Sequence, residues 1–144
     1  MKKINKKNGF TLIELIIVMV ILGIMAAVAV PRYLDSISNA EESAEDAVIS
    51  AIKSGLKAAA NDSLYTNGRA SWPTNPFDVL SEKPAGYSTD DSDADIDGEW
   101  TFSGGRITHQ RADNSRFEWT YNKGTQDGDN AEIGTLAGRT AIAQ

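Results

Sequence analysis

The sequence predicts an α+β protein: one long N-terminal helix, with a membrane half and an amphipathic half, packed on a small antiparallel β-meander. Three observations predict it. Residues 10–30 read FTLIELIIVMVILGIMAAVAV, an apolar run with a single charge, Glu14. From Ile37 to Ala59, apolar residues recur at three- and four-residue spacing. From Glu99 to Tyr121, aromatic and polar residues alternate in short runs separated by turn residues. The chain has 144 residues, enough for one domain and not comfortably two.

Charge divides the chain. The net charge is -6, yet Lys2, Lys3, Lys6 and Lys7 place four positive charges in the first nine residues. Everything after them carries twenty acidic and only ten basic side chains. An acidic body disfavours nonspecific attraction to nucleic acid or anionic lipid heads, so no direct nucleic-acid binding is expected. Cysteine is absent, which excludes thiol catalysis and cysteine–zinc sites. Stability is then left to the core, to neighbouring subunits or to a metal.

As a helix, residues 10–30 would span roughly 30 Å, the thickness of a bilayer's hydrocarbon core. The preceding lysines should stay cytoplasmic, with the remainder across the membrane. Three readings compete. One is a secretory signal peptide with Ala27-Val28-Ala29 as its cleavage site. Another is a permanent transmembrane anchor, and the third is a leader cut on the cytoplasmic side, before the apolar run. Glu14 separates them. A carboxylate in an apolar helix costs about 2.5–3.5 kcal/mol at mid-membrane. A signal peptide or plain anchor has no use for it, whereas a subunit that pairs with a neighbour inside an apolar bundle does.

Gly9-Phe10-Thr11-Leu12-Ile13-Glu14, after a short Lys-rich leader and before an aliphatic run, resembles the processing motif of bacterial type IV pilins and pseudopilins. Gly23 and Pro31 fall where that family has a helix-weakening glycine and proline. The resemblance covers roughly the first third of the chain. It implies a leader over 1–9, a transmembrane and assembly half-helix over 10–30, and a periplasmic or extracellular globular domain over 31–144. It implies cleavage between Gly9 and Phe10 by a prepilin peptidase, which also N-methylates Phe10. Glu14 would pair with the Phe10 amine of an adjacent subunit in a homo-oligomeric filament built by pilus assembly machinery in the inner membrane. The protein would sit in that membrane before assembly and in an extracellular pilus, or a periplasmic pseudopilus, afterwards. The function implied is a structural subunit of a type IV pilus. The alternatives are a pseudopilin of a type II secretion system and, in a different class, a membrane-anchored or exported ligand-binding domain. Locally, glycine weakens a helix by about 1 kcal/mol relative to alanine and interior proline by about 3 kcal/mol. Residues 24–30 should therefore be the easiest to unwind, with a mild kink as the other outcome.

Beyond Pro31, Ile37, Ala40, Ala44, Ala47, Val48, Ala51, Ile52, Leu56 and Ala59 form an apolar stripe, with Glu41, Glu42, Glu45, Asp46, Lys53 and Lys57 between them. The helix is expected to run from about Phe10 to Ala60, with Asn61 as its end signal. Residues 61–98 read as a long connection containing a short helix started by Asn75-Pro76. Strands follow around Trp100 and Phe102, over Arg106–Gln110, and around Phe117, Trp119 and Tyr121. Gly104-Gly105 and Ala112-Asp113-Asn114-Ser115 supply the turns. Ile133, Leu136 and Ile142 are enough to tack the tail onto the sheet edge.

Catalysis is not expected. His109 is the only histidine and has no acid or nucleophile at motif spacing. The aromatic face of Phe117, Trp119 and Tyr121 suits core better than a ligand platform. One cofactor reading stays open. Asp93, Asp95 and Asp97, with Gly98, match the opening half of an EF-hand-type calcium loop, and Trp100 stands at its eighth position. The twelfth position is Gly104 rather than glutamate, so Asp90, Asp91, a backbone carbonyl, or Asp127 and Asp129 would have to complete a Ca2+ site. The competing reading, a solvated acidic loop, is favoured by the incompleteness of the motif.

Overall fold

The computed structural model describes residues 9–125 and 133–143. In chain order it contains helix α1 (Leu12–Asn67), a short 3-10 helix (Pro76–Val79), and strands β1 (Trp100–Ser103), β2 (Arg106–Gln110), β3 (Arg116–Asn122), β4 (Thr135–Leu136) and β5 (Thr140–Ala141). This is the α+β architecture expected from the sequence. The chain divides into two compact units, Met1–Glu42 and Ser43–Gln144, with the boundary inside α1. Before that boundary Ile37 and Ala40 are exposed, and the first fully buried side chain of the helix is Glu45.

In the first unit, α1 is long and apolar enough to cross a membrane, and none of its most apolar stretch is buried within the molecule. Leu12, Ile13, Leu15, Met19, Leu22, Ile24 and Met25 are all exposed. Gly23 and Pro31 both lie within continuous helix. Pro31 lacks the N–H that would bond the carbonyl of Ala27, a loss of one rung that the helix tolerates.

In the second unit, α1 continues past Asn61, which is exposed mid-helix, to Asn67. The true stop is Gly68, whose φ of 71° is the left-handed conformation favoured just beyond a helix end. Its N–H donates to the carbonyl of Leu64 at 2.9 Å. The buried stripe is Glu45, Ile49, Ile52, Leu56 and Ala60. It is shifted from the expected one: Ala44, Ala47 and Ala51 face outward, and a carboxylate faces in.

The sheet has the order β1-β2-β3-β4, and β5 also pairs with β3; each of these strand pairs is antiparallel. Trp100 opposes His109, and Ile107 opposes Trp119. This register places Trp100, Ile107, Trp119 and Tyr121 in one core with Ile49, Ile52 and Leu56 of the helix and Phe77 of the 3-10 turn. Trp100 stacks on Trp119 at 5.6 Å. Asn75 caps the 3-10 helix as expected, its Oδ1 accepting from the Phe77 N–H at 2.9 Å. Leu136 pairs with Tyr121 and Ala141 with Phe117, so the tail does complete the sheet edge at β3.

The opposite face is not left to solvent. Residues 93–95 cross it: Asp93 pairs with Arg106, the Ala94 N–H donates to Thr108 Oγ1 at 2.7 Å, and Asp95 lies beside Gln110. Thr101 and Thr108 are fully buried beneath this crossing, and Ala94 within it is fully buried too. Backbone polar groups that a solvated loop would give to water are here given to the sheet.

Candidate functional site

The N-terminal segment is built by a helix start. Gly9, Phe10 and Thr11 lie outside the helix, and Phe10 is 88% exposed. The bond between Gly9 and Phe10 is therefore in accessible, non-helical chain, the form a peptidase can take. Thr11 caps α1, and Glu14 stands three residues on. The Thr11 N–H and hydroxyl both donate to Glu14 Oε2 at 2.8 Å, and the Glu14 N–H donates to Thr11 Oγ1 at 3.3 Å. This is a capping box, in which two orphan donors of the first turn are satisfied reciprocally. Sequence reasoning found Glu14 but missed Thr11, although the threonine-x-x-glutamate spacing carries the signal. Lys2, Lys3, Lys6 and Lys7 lie outside the described residues.

A second constellation, in the globular unit, was not anticipated. Glu45, fully buried, receives Arg111 Nε on Oε1 and Arg111 Nη2 on Oε2, each at 2.7 Å. His109 Nδ1 lies 2.9 Å from Oε1, and Arg139 Nη1 donates to Oε2 at 2.8 Å. Burial alone would raise the Glu45 pKa. The hydrogen bonds from Arg111, His109 and Arg139 outweigh it and hold the carboxyl down at about 2. Arg111 also lies over the Phe117 ring at 4.1 Å, so the cation is packed as well as paired. His109 is satisfied and buried, with its ring 4.3 Å from that of Trp100. The signal for Glu45 was present: it stands four residues before Ile49 on the apolar stripe, a misplaced charge of the kind that singled out Glu14.

Asp93, Asp95 and Asp97, the aspartates of the calcium reading, have separate surroundings. Asp93 holds Arg106 Nη2 through both oxygens, at 3.0 and 2.9 Å, and Arg106 also pairs with Glu118 at 2.9 Å. The Asp95 N–H is taken by the Glu99 carboxylate at 3.0 Å, and Asp97 is exposed. Among the described residues no cluster of three or more His, Asp or Glu side chains is arranged to hold a metal. Asp127 and Asp129 lie outside the described residues.

An exposed apolar helix, long enough to cross a membrane and opening on the Thr11–Glu14 cap, follows directly on Gly9-Phe10. Residues 4–30 match the family described as the prokaryotic N-terminal methylation motif. The relatives are type IV pilins, which bears out the resemblance carried by Gly9–Glu14. The type IV narrow pilus major component PilA5 of Thermus thermophilus is 49% identical over 49 residues, 34% of this chain and 42% of the relative. The type IV major alpha-pilin of Moraxella bovis is 46% identical over 55 residues, 38% of this chain and 35% of the relative. A type IV major pilin protein PilE1 of Neisseria gonorrhoeae is 38% identical over 108 residues, 72% of this chain and 44% of the relative. The chain thus spans less than half the length of these curated relatives. No solved structure matches it.

Proposed function

We propose that this protein is a structural subunit of a type IV pilus, cleaved after Gly9, N-methylated on Phe10, held in the inner membrane by residues 10–30, and polymerised through the same segment. The observation that carries the reading is the methylation motif at 4–30, placed directly on a helix whose most apolar stretch is uncovered in the single chain. So large an apolar surface is stable only in lipid or against copies of itself. Both Thr11 donors reach Glu14 Oε2, which leaves Oε1 for the Phe10 amine of a neighbour. N-methylation keeps that amine cationic, and an apolar bundle makes the unpaired carboxylate costly. Release of the Pro31 rung and the absence of a side chain at Gly23 make 24–30 the segment to unwind on packing.

The test is the intact mass and N-terminal sequence of the protein from its native membrane or surface fraction. The expected chain starts at Phe10 with one added methyl group. A start at Val30, after Ala27-Val28-Ala29, would establish ordinary secretion and end the proposal.

A further inference from the structure

The apolar run of α1 ends on two side chains to which the filament reading gives no role. No residue from Leu15 to Pro31 carries a charge, and the next two residues are Arg32 and Tyr33. Both lie in continuous helix and both are exposed, Tyr33 at 68%. Asp35 stands three residues beyond Arg32, a spacing that suits a helix ion pair. Among the described residues Arg32 nevertheless forms none.

An uncompensated guanidinium beside a phenol ring, at the point where an apolar run stops, suits a membrane–water boundary. The guanidinium presents a planar fork of donors that matches a phosphate. The arginine stem and the tyrosine ring can lie against acyl chains while their polar tips reach outward. On the same helix, Glu14 precedes Arg32 by about 27 Å along the axis. The hydrocarbon core is about 30 Å thick. With Arg32 held at the outer boundary, Glu14 falls inside the cytoplasmic boundary by less than one helical turn. A carboxylate costs far less there than at mid-membrane. Any slide of the helix toward the cytoplasm would carry Glu14 among headgroups and water, which compete for it with the Phe10 amine of a neighbour.

We infer that Arg32 and Tyr33 bind the phospholipid headgroups of the outer leaflet, Arg32 on a lipid phosphate and Tyr33 beside it, and that this contact fixes the depth of α1 so that Glu14 stays just within the apolar layer. Such a contact presupposes the membrane insertion of residues 10–30 proposed above. Glu14 draws the helix toward the cytoplasm, and Arg32 and Tyr33 oppose it. A lipid phosphate fits better than a neighbour's carboxylate, because a lone inserted chain already places Arg32 at the boundary.

The absence of cysteine lets a single introduced cysteine carry a spin label. The full chain is placed in vesicles of phosphatidylethanolamine and phosphatidylglycerol in phosphate-free buffer, labelled at Ile13→Cys or Ile21→Cys. Collision with oxygen and with a water-soluble nickel chelate reports depth. The Ile21→Cys label is expected deep in the apolar layer and the Ile13→Cys label close to the cytoplasmic boundary. In chain carrying isotope-labelled arginine, solid-state resonance should show one guanidinium carbon dephased by lipid phosphorus. That signal should vanish in Arg32→Gln and persist in Asp35→Asn. Arg32→Leu combined with Tyr33→Leu should move the Ile13→Cys label toward cytoplasmic water by about 5 Å, one helical turn. Circular dichroism checks that the helix is retained. An Ile21→Cys label open to the nickel chelate would overturn the membrane reading and this contact with it. An inserted chain with no dephased guanidinium carbon, or with unchanged depth in the double leucine variant, would overturn the headgroup contact alone and leave Arg32 to water or to a neighbour's carboxylate.

Discussion

A buried charge is stable only with partners, and Glu45 is the residue on which that rule bears most heavily. Its carboxylate ties α1 to the β2–β3 corner through His109 and Arg111 and to the tail through Arg139. Glu45→Gln keeps the shape and removes the charge, leaving buried Arg111 uncompensated. We expect a loss of about 3–5 kcal/mol, read as a lower urea midpoint at neutral pH. The same pairing sets an acid limit. The folded-state pKa of Glu45, about 2, lies below the ordinary 4.5. Its contribution is therefore complete above pH 4.5 and is lost as pH falls from 4.5 toward 2. Urea midpoints measured across that window should fall steeply in the native protein and much less in Glu45→Gln. Parallel slopes would show that the carboxyl is not the group responsible. In a chain without cysteine, this cluster fastens the tail through Arg139.

At the scale of elements, close approach is specified by glycine rather than by the alanine stripe. A methyl group on Gly55 of α1 would stand 2.5 Å from a methyl of Val79 in the 3-10 helix. Alanine is the better helix former by about 1 kcal/mol, so an isolated helix would gain from Gly55→Ala. In the folded unit the overlap should dominate, with a net loss of about 1–2 kcal/mol in thermal or urea melts. Adding Val79→Ala should recover part of that loss; strict additivity of the two changes would place the contact elsewhere. The sheet makes a comparable demand. Trp119 is 2% exposed at the centre of β3, and Trp119→Ala should cost about 3–5 kcal/mol. An unchanged melting temperature would mean that the register is displaced by one residue, since such a slip exchanges the two faces.

For the whole molecule, the question is whether Glu14 serves the helix or the filament. In the single chain it completes a capping box, whose loss costs about 1 kcal/mol. Thr11→Ala removes the box and keeps the carboxylate; Glu14→Ala removes both. On the filament reading, both variants should insert in the membrane, and Glu14→Ala should do so slightly better because the apolar helix loses a charge. Only Glu14→Ala should abolish filaments, scored by electron microscopy and sheared-fibre yield. Equal assembly defects in the two variants would assign Glu14 to capping alone.

The sequence by itself determined the helix, its apolar half, the processing motif and the three main strands, because each is written in local periodicity or in adjacent residues. The turns at Gly104-Gly105 and Asn114 were legible for the same reason, since positive φ calls for those residue types. Only the tertiary structure decided which face of α1 is buried, because the apolar spacing of residues 37–59 admits more than one phase and Glu45 counts as polar until Arg111 and Arg139 meet it. It also decided the fate of Asp93, whose partner Arg106 lies thirteen residues away. Those arrangements depend on which segments cross the sheet, and no local pattern encodes a crossing.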